Sequence, residues 1–436
     1  MAAGPAPGRP TAEELEDWRR GTEAAGWVHM NAAGASPPPH SAHEAMTAHL
    51  ELERTVGGYA AKAQRDRQGG RDAHEALAGL LGCDADEVAL VESAQAAWAK
   101  AFYSLDFGAN DRILCFESEY AGNAVAFLQT AQRSGSGLEV LPMRPDGLVD
   151  VGALERALGT AKPGRALVAL THVQTNSSIV QPAAEVGALA GAHGAVYLLD
   201  ACQSFGQLRV DVREIGCDFA CGTGRKWLRG PRGTGFLYAR RGALSQVGTA
   251  AGASLVGEPP CIDHHGALWS SRHSYELAPG ARRYEMWESS EAARAGLAAA
   301  ADFCAAVGPG RIAALSAQLA RRLRAGLAKI PGLELRDAPP GADEGALCAI
   351  VACEAAARGV AAEALKEALA ERKIGVSVSP PTHTFDDSQW QLPACVRISP
   401  SYFNTEEEVD AVVEAVRESL AQLGAAGPPA GREGPE

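Results

Sequence analysis

The ten cysteines of this 436-residue chain form no CxxC pair and no regular framework. That leaves disulfides and metal sites without a basis, and scattered cysteines of this kind suit a reducing compartment, where most serve as small buried hydrophobes. No apolar run reaches the ~18 residues of a membrane span, and the N-terminus carries no basic patch followed by an apolar core. A cytoplasmic protein with no membrane partner is expected. The opening MAAGPAPGRP reads either as a short disordered extension or as a poor transit peptide. Positive charge is also scarce: the net charge is −13, which argues against a nucleic-acid partner. The short basic clusters Arg229 with Arg232 and Arg240-Arg241 read as solvated loops. No GxGxxG follows a first strand, so a nicotinamide-binding Rossmann protein is disfavoured. No internal repeat is evident.

What is present is enough apolar content, 46%, for two or three domains by the rough prior of ~150 residues each. Thr11 to Arg20 reads as a short polar helix. Ala32 to Pro39, with three consecutive prolines, must be extended. A helix is expected near His40 to Arg54, broken at Val56-Gly-Gly-Tyr59. Strands are expected near Val88 to Val91, Arg112 to Phe116, Leu138 to Pro142, Ala166 to Thr171, Ala195 to Asp200, Asp218 to Ala220 and Gly235 to Tyr238, with amphipathic stretches between most of them. This alternation predicts right-handed crossovers and an α/β fold with a large doubly wound, mostly parallel sheet.

Beyond roughly residue 285 the texture becomes alanine- and leucine-rich. Helices are expected over Glu291 to Val307 and Arg311 to Ile330, with short strands near Ala346 to Cys353 and Val396 to Ser399. Thr405-Glu-Glu-Glu408 is a capping box, and Val409, Val412, Val413, Val416 and Leu420 recur at helical spacing. The division read from this pattern is an N-terminal extension (1–25), a large α/β domain (26–285), a small α+β C-terminal domain (286–423) and a disordered tail (424–436).

The chemistry concentrates in residues 198 to 238. Lys226 lies in a glycine-rich turn, downstream of an apolar strand that ends in Asp200. A lysine amine is a useful nucleophile toward a carbonyl when its surroundings favour the neutral form or hold it as an imine. An aspartate at the carboxyl end of a buried parallel strand sits where open α/β sheets place ligand groups. A carboxylate there favours a protonated ring nitrogen, the protein device that makes pyridoxal phosphate an electron sink.

Asp200-Ala-Cys-Gln203, Asp218 at the end of a second strand, Thr223-Gly-Arg-Lys226, Gly230-Pro-Arg-Gly-Thr-Gly235, Arg397-Ile-Ser-Pro and Asn404-Thr-Glu-Glu-Glu-Val together resemble the class V aminotransferase-like group of fold type I pyridoxal-phosphate enzymes. That group includes cysteine desulfurases, carbon-sulfur lyases and epimerases, and the resemblance covers most of the chain. It implies pyridoxal 5'-phosphate as cofactor, bound covalently by Lys226, with Asp200 on the pyridine nitrogen and Gln203 at the ring oxygen or imine region. Thr223 and Arg225 take phosphate-binding positions, a hydroxyl and a guanidinium that suit a dianion; Arg225 stands where the family more often has histidine. Ser93-Ala94-Gln95, between a strand and a helix, offers backbone donors to the same phosphate. Tyr120, in Glu119-Tyr120, aligns with the side chain that stacks on the ring, where desulfurases carry histidine. In the cluster His172, Thr175 and Asn176, the register leaves either Thr175 or Asn176 as the contact to the ring oxygen. Arg397 matches the arginine that clamps a substrate α-carboxylate, and Asn31 either lies over the pocket or forms a simple turn. The resemblance also implies a homodimer, with Ser289 and Ser290 near the position where a neighbouring subunit touches the phosphate.

Desulfurases of the group carry a loop cysteine that attacks substrate sulfur. The matching stretch, Ile374-Gly-Val-Ser-Val-Ser-Pro-Pro-Thr-His383, holds none, and Cys395 on the approach to Arg397 reads as core. A carbon-sulfur β-lyase needs no such thiol. Val56-Gly-Gly-Tyr59, Glu119-Tyr120 and Val396-Arg-Ile-Ser-Pro400 look especially like lyases that cleave hercynylcysteine sulfoxide. The expected function is thus a lyase acting on a small cysteine-derived amino acid. A transaminase or epimerase is the alternative, and a non-catalytic ligand sensor on the same fold a remote one.

Overall fold

The computed structural model describes residues 9–22, 25–160, 164–246, 254–380, 385 and 393–425. Seven strands carry the alternation read from the sequence: β1 (Val88–Val91), β2 (Arg112–Phe116), β3 (Gly137–Leu141), β4 (Ala166–Thr171), β5 (Val196–Asp200), β6 (Phe219–Thr223) and β7 (Gly235–Ala239). They form one sheet in the order β1-β7-β6-β5-β4-β2-β3, with β7 antiparallel to both neighbours and the other pairs parallel. Helices cover both faces, so β2, β4 and β6 are buried at every position. Such strands show continuous apolar runs rather than alternation. The edge strand β3 is the most exposed.

Because β1, β2, β4, β5 and β6 all run one way, their carboxyl ends share one edge of the sheet, and the antiparallel β7 starts at that edge. Gly235, its first residue, packs so tightly on the loop after β1 that an added Cβ would lie 2.7 Å from the carbonyl carbon of Ser93. Only glycine permits this approach. Asp218 does not end a strand as expected. It precedes β6 and so lies at the opposite edge from Asp200, where it accepts the Tyr197 amide (2.9 Å) and pairs with Arg240 Nε (2.9 Å).

Arg240 makes that pair while staying exposed, as expected, but Arg229 leaves the solvated-loop reading. Arg229 is 1% exposed. It donates to Pro37 O (2.9 Å), Trp18 O (2.8 Å) and the Tyr402 hydroxyl (3.1 Å), with its guanidinium 4.4 Å from the Phe403 ring centroid. A buried cation is tolerable only when its donors are met and its face is covered. Here one arginine ties the N-terminal helix (Ala12–Arg19) and the C-terminal Tyr402-Phe403 to the turn that carries Lys226. Arg232 and Arg241 are exposed as expected.

A second sheet of four antiparallel strands has the order Glu334–Leu335, Val351–Glu354, Cys395–Ile398, Ser377–Ser379. The strand expected from Ala346 begins only at Val351. The preceding backbone groups are used elsewhere: Cys348 N donates to Ser178 O (2.8 Å), Ala349 N to Gln207 Oε1 (2.7 Å), and the carbonyls of Cys348 and Ile350 accept from Arg324. Groups so engaged cannot join a ladder. The helix expected to reach Ile330 ends at Leu327, because Ile330 precedes Pro331 and is barred from helical geometry. The capping box forms as read, with Thr405 N to Glu408 Oε2 at 3.2 Å and Glu408 N to Thr405 Oγ1 at 3.1 Å. Its helix, Glu406–Ala425, runs past Gly424, where a tail was expected. Residues 426–436 lie outside the described residues.

Sequence order and packing part company at two places. Met30, Ala32 and Ala33 share a hydrophobic cluster with the C-terminal sheet and the last helix. Val28–His29 pairs in parallel with Ile374–Gly375. Conversely, the helix Glu291–Val307 packs through Leu297, Ala298 and Ala301 into the core of the seven-stranded sheet.

One buried ionic cluster holds the segment before that helix. His74 lies between Asp72 (Nδ1 to Oδ1, 2.8 Å) and Glu285 (Nε2 to Oε1, 2.5 Å), and Glu285 also meets Arg294 (3.1 Å) and the Leu90 amide (2.9 Å). Burial pushes the Glu285 carboxyl up, but the bond and charge of His74, the charge of Arg294 and the Leu90 amide outweigh it and hold the carboxyl at about 2. A depressed acid stabilises the fold above its unfolded value of 4.5 and loses that contribution as pH falls toward 2. Glu285→Gln is therefore expected to cost about 3 kcal/mol at pH 6, since it leaves buried charges without their partner. In urea titrations the gap to wild type should close as the buffer is taken below the unfolded value.

Candidate active site

The carboxyl-end edge of the sheet gathers most of the predicted residues. Asp200 ends β5, is 6% exposed and is held by the Asn123 side-chain amide (3.1 Å) and the Cys202 backbone amide (2.8 Å). Cys202 then links Asp200 to Lys226, whose Nζ lies 3.2 Å from the Cys202 sulfur. Burial pushes the Cys202 thiol up, so it is protonated near neutral pH.

The lysine turn is rigid for a local reason. Gly224 N donates to Thr234 O (2.9 Å), Gly230 N to Gly224 O (2.7 Å) and Arg229 N to Lys226 O (3.1 Å), and Arg229 adopts the left-handed φ of 63°. Gly206 braces the turn from outside at φ 85°; a Cβ there would lie 2.4 Å from the Leu228 nitrogen. Gln203 is buried against the same turn, with Oε1 accepting from Trp227 Nε1 (2.9 Å) and Nε2 donating to Ala33 O (3.1 Å). Its amide is thus engaged at both ends by the protein.

Around this centre, Thr223 ends β6 with its hydroxyl on Thr234 O (3.3 Å), and the Arg225 guanidinium donates to Gly34 O. Ser93 caps the helix Ala94–Phe102, its hydroxyl accepting from Ala96 N (3.1 Å). Gln95 reaches from the first turn of that helix to Gly122, beside Tyr120. Tyr120 is 45% exposed, so it is no core side chain. Burial of its hydroxyl and the nearby Cys202 and Asp200 push its pKa up, so it stays a proton donor at neutral pH.

The C-terminal sheet contributes Arg397 from across the cleft. It is 6% exposed and donates from Nε to Ser377 Oγ (3.1 Å) and from Nη1 to Thr175 O (2.9 Å). No carboxylate pairs with it among the described residues. Burial and the charge of Arg225 lower its pKa to about 10, still protonated at neutral pH. The Thr175 carbonyl therefore orients Arg397, whereas Asn176 is buried behind it. His172 is buried with Nδ1 on Ser204 Oγ (3.0 Å), and burial lowers its pKa to about 4. It is a neutral structural histidine. Asn31 bridges to Ser399, and its buried Oδ1 has no hydrogen-bond partner. Ser290 stands apart from the cluster as the cap of the helix Glu291–Val307 (Ala293 N, 3.2 Å). Cys395 is fully buried, with Sγ on Pro393 O (3.2 Å), as read.

Sequence reading missed Asn123, Ser377 and the role of Cys202. Asn123 lies in the first turn of the helix Ala121–Ser134, and nothing in the sequence joins it to Asp200.

The donor set fits pyridoxal phosphate. A buried carboxylate at Asp200 has no cationic partner among the described residues, while Lys226, Arg225 and Arg397 have no carboxylate partner there. Buried Asn31 Oδ1 and Gln174 Nε2 lack partners among the described residues. A ligand with a protonated ring nitrogen at one end and anionic groups at the other answers both deficits.

Comparison with known proteins agrees. The aminotransferase class-V family matches residues 28–412. A probable cysteine desulfurase of Methanothermobacter thermautotrophicus is 30% identical over 312 residues, 70% of this chain and 74% of that protein. An isopenicillin N epimerase of Streptomyces clavuligerus is 30% identical over 405 residues, 89% of this chain and 94% of that protein. The solved cysteine desulfurase of Thermococcus onnurineus NA1 shares the fold with a TM-score of 0.76 at 22% identity, covering 97% of this chain and all of that one. This chain belongs to the aminotransferase class-V family of fold type I, pyridoxal-phosphate-dependent enzymes.

Proposed function

We propose that the protein is a carbon-sulfur β-lyase acting on a small cysteine-derived amino acid. The observation that carries this reading is the absence of an available thiol where a persulfide-forming desulfurase would need one. The segment from Ile374 to His383 has no cysteine, and Cys395 is buried with its thiol pushed up to about 11. Residues 381–383 lie outside the described residues. Cys202 touches Lys226 but is held protonated, a poor nucleophile toward sulfur.

Lys226 would hold the cofactor aldehyde, Asp200 its ring nitrogen, and Tyr120 would lie against the ring. Thr223, Arg225 and the amides at Ser93, Ala94 and Gln95 would take the phosphate, with the second Nε2 hydrogen of Gln203 and either Thr175 or Asn176 toward the ring oxygen. Bound pyridoxal phosphate supplies an electron sink that makes a substrate α-proton acidic. The protein then has three tasks. Arg397, pre-oriented by Thr175 O and Ser377, binds the substrate carboxylate as a planar fork and fixes which Cα bond faces the lysine. Lys226, freed when the substrate amine takes its place, would remove the α-proton, and a β-sulfur leaving group would depart with its bonding electrons, giving pyruvate and ammonia once water adds. The Tyr120 hydroxyl, kept protonated, is a candidate donor to the leaving group.

A second reading is amino-acid epimerisation. It is favoured by the long match to an epimerase and by Tyr120, a second proton-bearing group beside the site. Transamination shares the same first step. A homodimer in a cytoplasmic setting completes the proposal.

Lys226→Ala is expected to abolish borohydride-trapped cofactor at this position and to lower turnover at least ~10³-fold. Arg397→Lys should raise KM roughly 30- to 100-fold, corresponding to about 2–3 kcal/mol, with a smaller change in kcat, because a point charge replaces a two-pronged donor. With a panel of cysteine conjugates, sulfoxides and ordinary amino acids, wild type and Cys395→Ala should both release pyruvate and ammonia. Alanine together with a protein persulfide that disappears in Cys202→Ser would establish a desulfurase instead. Inverted α-carbon with no elimination product would establish the epimerase.

A further inference from the structure

Glu119 lies at the carboxyl end of β2, next to Tyr120, and has no role in the reading above. Three donors converge on one of its oxygens, Oε1: the Tyr120 amide (2.7 Å), the Asn123 side-chain amide (3.0 Å) and the Thr171 hydroxyl. The same Asn123 nitrogen donates to Asp200 Oδ2 at 3.1 Å. Asn123 is 1% exposed, so a single buried amide holds two carboxyl groups together. Both contacts are to carboxyl oxygens, which fixes the nitrogen as the atom that faces them. Oε2 of Glu119 has no partner among the described residues and is the oxygen left to carry a proton.

The charged and titratable groups facing Glu119 are few. Asp200 comes from β5, the Cys115 thiol from β2 and the Tyr120 phenol from the adjoining turn; burial pushes the latter two up, so both are neutral near pH 7. No lysine or arginine pairs with Glu119 among the described residues. Two carboxylates bridged this closely, without a cation, are not both ionised at little cost. Glu119 keeps some accessible surface, yet desolvation pushes it up to about 7, against the three donors that favour its charged form. Asp200 accepts from both Asn123 and the Cys202 amide, whereas Glu119 retains an oxygen able to carry the proton.

We propose that Glu119 is a positioning residue for Asp200, carrying the exchangeable proton of the pair and thereby making the charge presented to the cofactor ring depend on pH. The inference rests on the reading of Asp200 as partner of the ring nitrogen. Below neutrality the pair carries one negative charge and matches one protonated ring nitrogen. Above neutrality the second charge, transmitted through Asn123, strengthens the hold on that proton.

The full-length protein tests this with and without cofactor. In the cofactor-free protein, an infrared carboxylic-acid band should titrate near neutral pH, vanish in Glu119→Gln and move to lower pH in Asp200→Asn, where the like charge is gone. Calorimetry with pyridoxal phosphate in two buffers of different protonation heat should show a proton exchange that varies with pH around neutrality in wild type and is flat in Glu119→Gln. The matching limb of the kcat/KM profile should disappear in that variant, with under tenfold change on the plateau. A band that survives Glu119→Gln, or one that Asp200→Asn does not move, overturns the inference. Failure of wild type to bind pyridoxal phosphate at Lys226 would instead overturn the functional reading, and the infrared titration distinguishes the two.

Discussion

A carboxylate buried at the end of the central strand, with neutral donors as its only partners among the described residues, is the constraint around which this molecule is built. Stranded charge of this kind is costly in a partly dry site and is tolerated when a ligand brings the opposite sign. The strand order supplies the position: β5 is the middle strand of seven, so Asp200 opens toward a site walled by the loops after β1, β2, β4 and β6. The opposite deficit, cations without carboxylates, comes from the lysine turn and from Arg397 on the second sheet. Sheet topology thus separates charges that would neutralise one another on a less constrained chain.

The rigidity of the lysine turn has the same origin as its chemistry. Gln203, Trp227 and Gly206 fix it from one side, and the buried Arg229 fixes it from the other. Each uses neutral acceptors or backbone contacts, so none brings in a carboxylate that would compete for Lys226. Cys202 occupies the space between the lysine and the aspartate with a group that is small, polarisable and uncharged. A stronger hydrogen-bonding side chain there would draw Lys226 toward the protein.

The strands were legible because six of the seven are buried runs bounded by polar or glycine residues, and the lysine and aspartate because their spacing follows from two strand ends. Local pattern failed where side chains capture backbone groups. Arg324, Gln207 and the Ser178 carbonyl delay the strand expected at Ala346. It also failed for charge: nothing around Arg229 in the sequence announces that Trp18, Pro37 and Tyr402 will enclose it. Asp218 was misplaced by one strand boundary, enough to move it to the far edge of the sheet. Asn123 and Glu119 illustrate the deepest limit, because their significance lies in a contact with Asp200 that only the tertiary fold creates.

Val28–His29 pairs with Ile374–Gly375, and the amides of Val28, Met30 and Ala32 donate to the carbonyls of Lys373, Gly375 and Ser399. The first strand made is therefore among the last to find its place. As the polypeptide leaves the ribosome, the seven-stranded sheet and its lysine can assemble while this leading segment, and Asn31 with it, still waits for sequence near the far terminus. Arg397 is made later still than the seven strands, so the two sides of the cleft are supplied at different stages of synthesis, and the Arg229 contacts to Tyr402 and Phe403 lock the lysine turn only when the far terminus arrives.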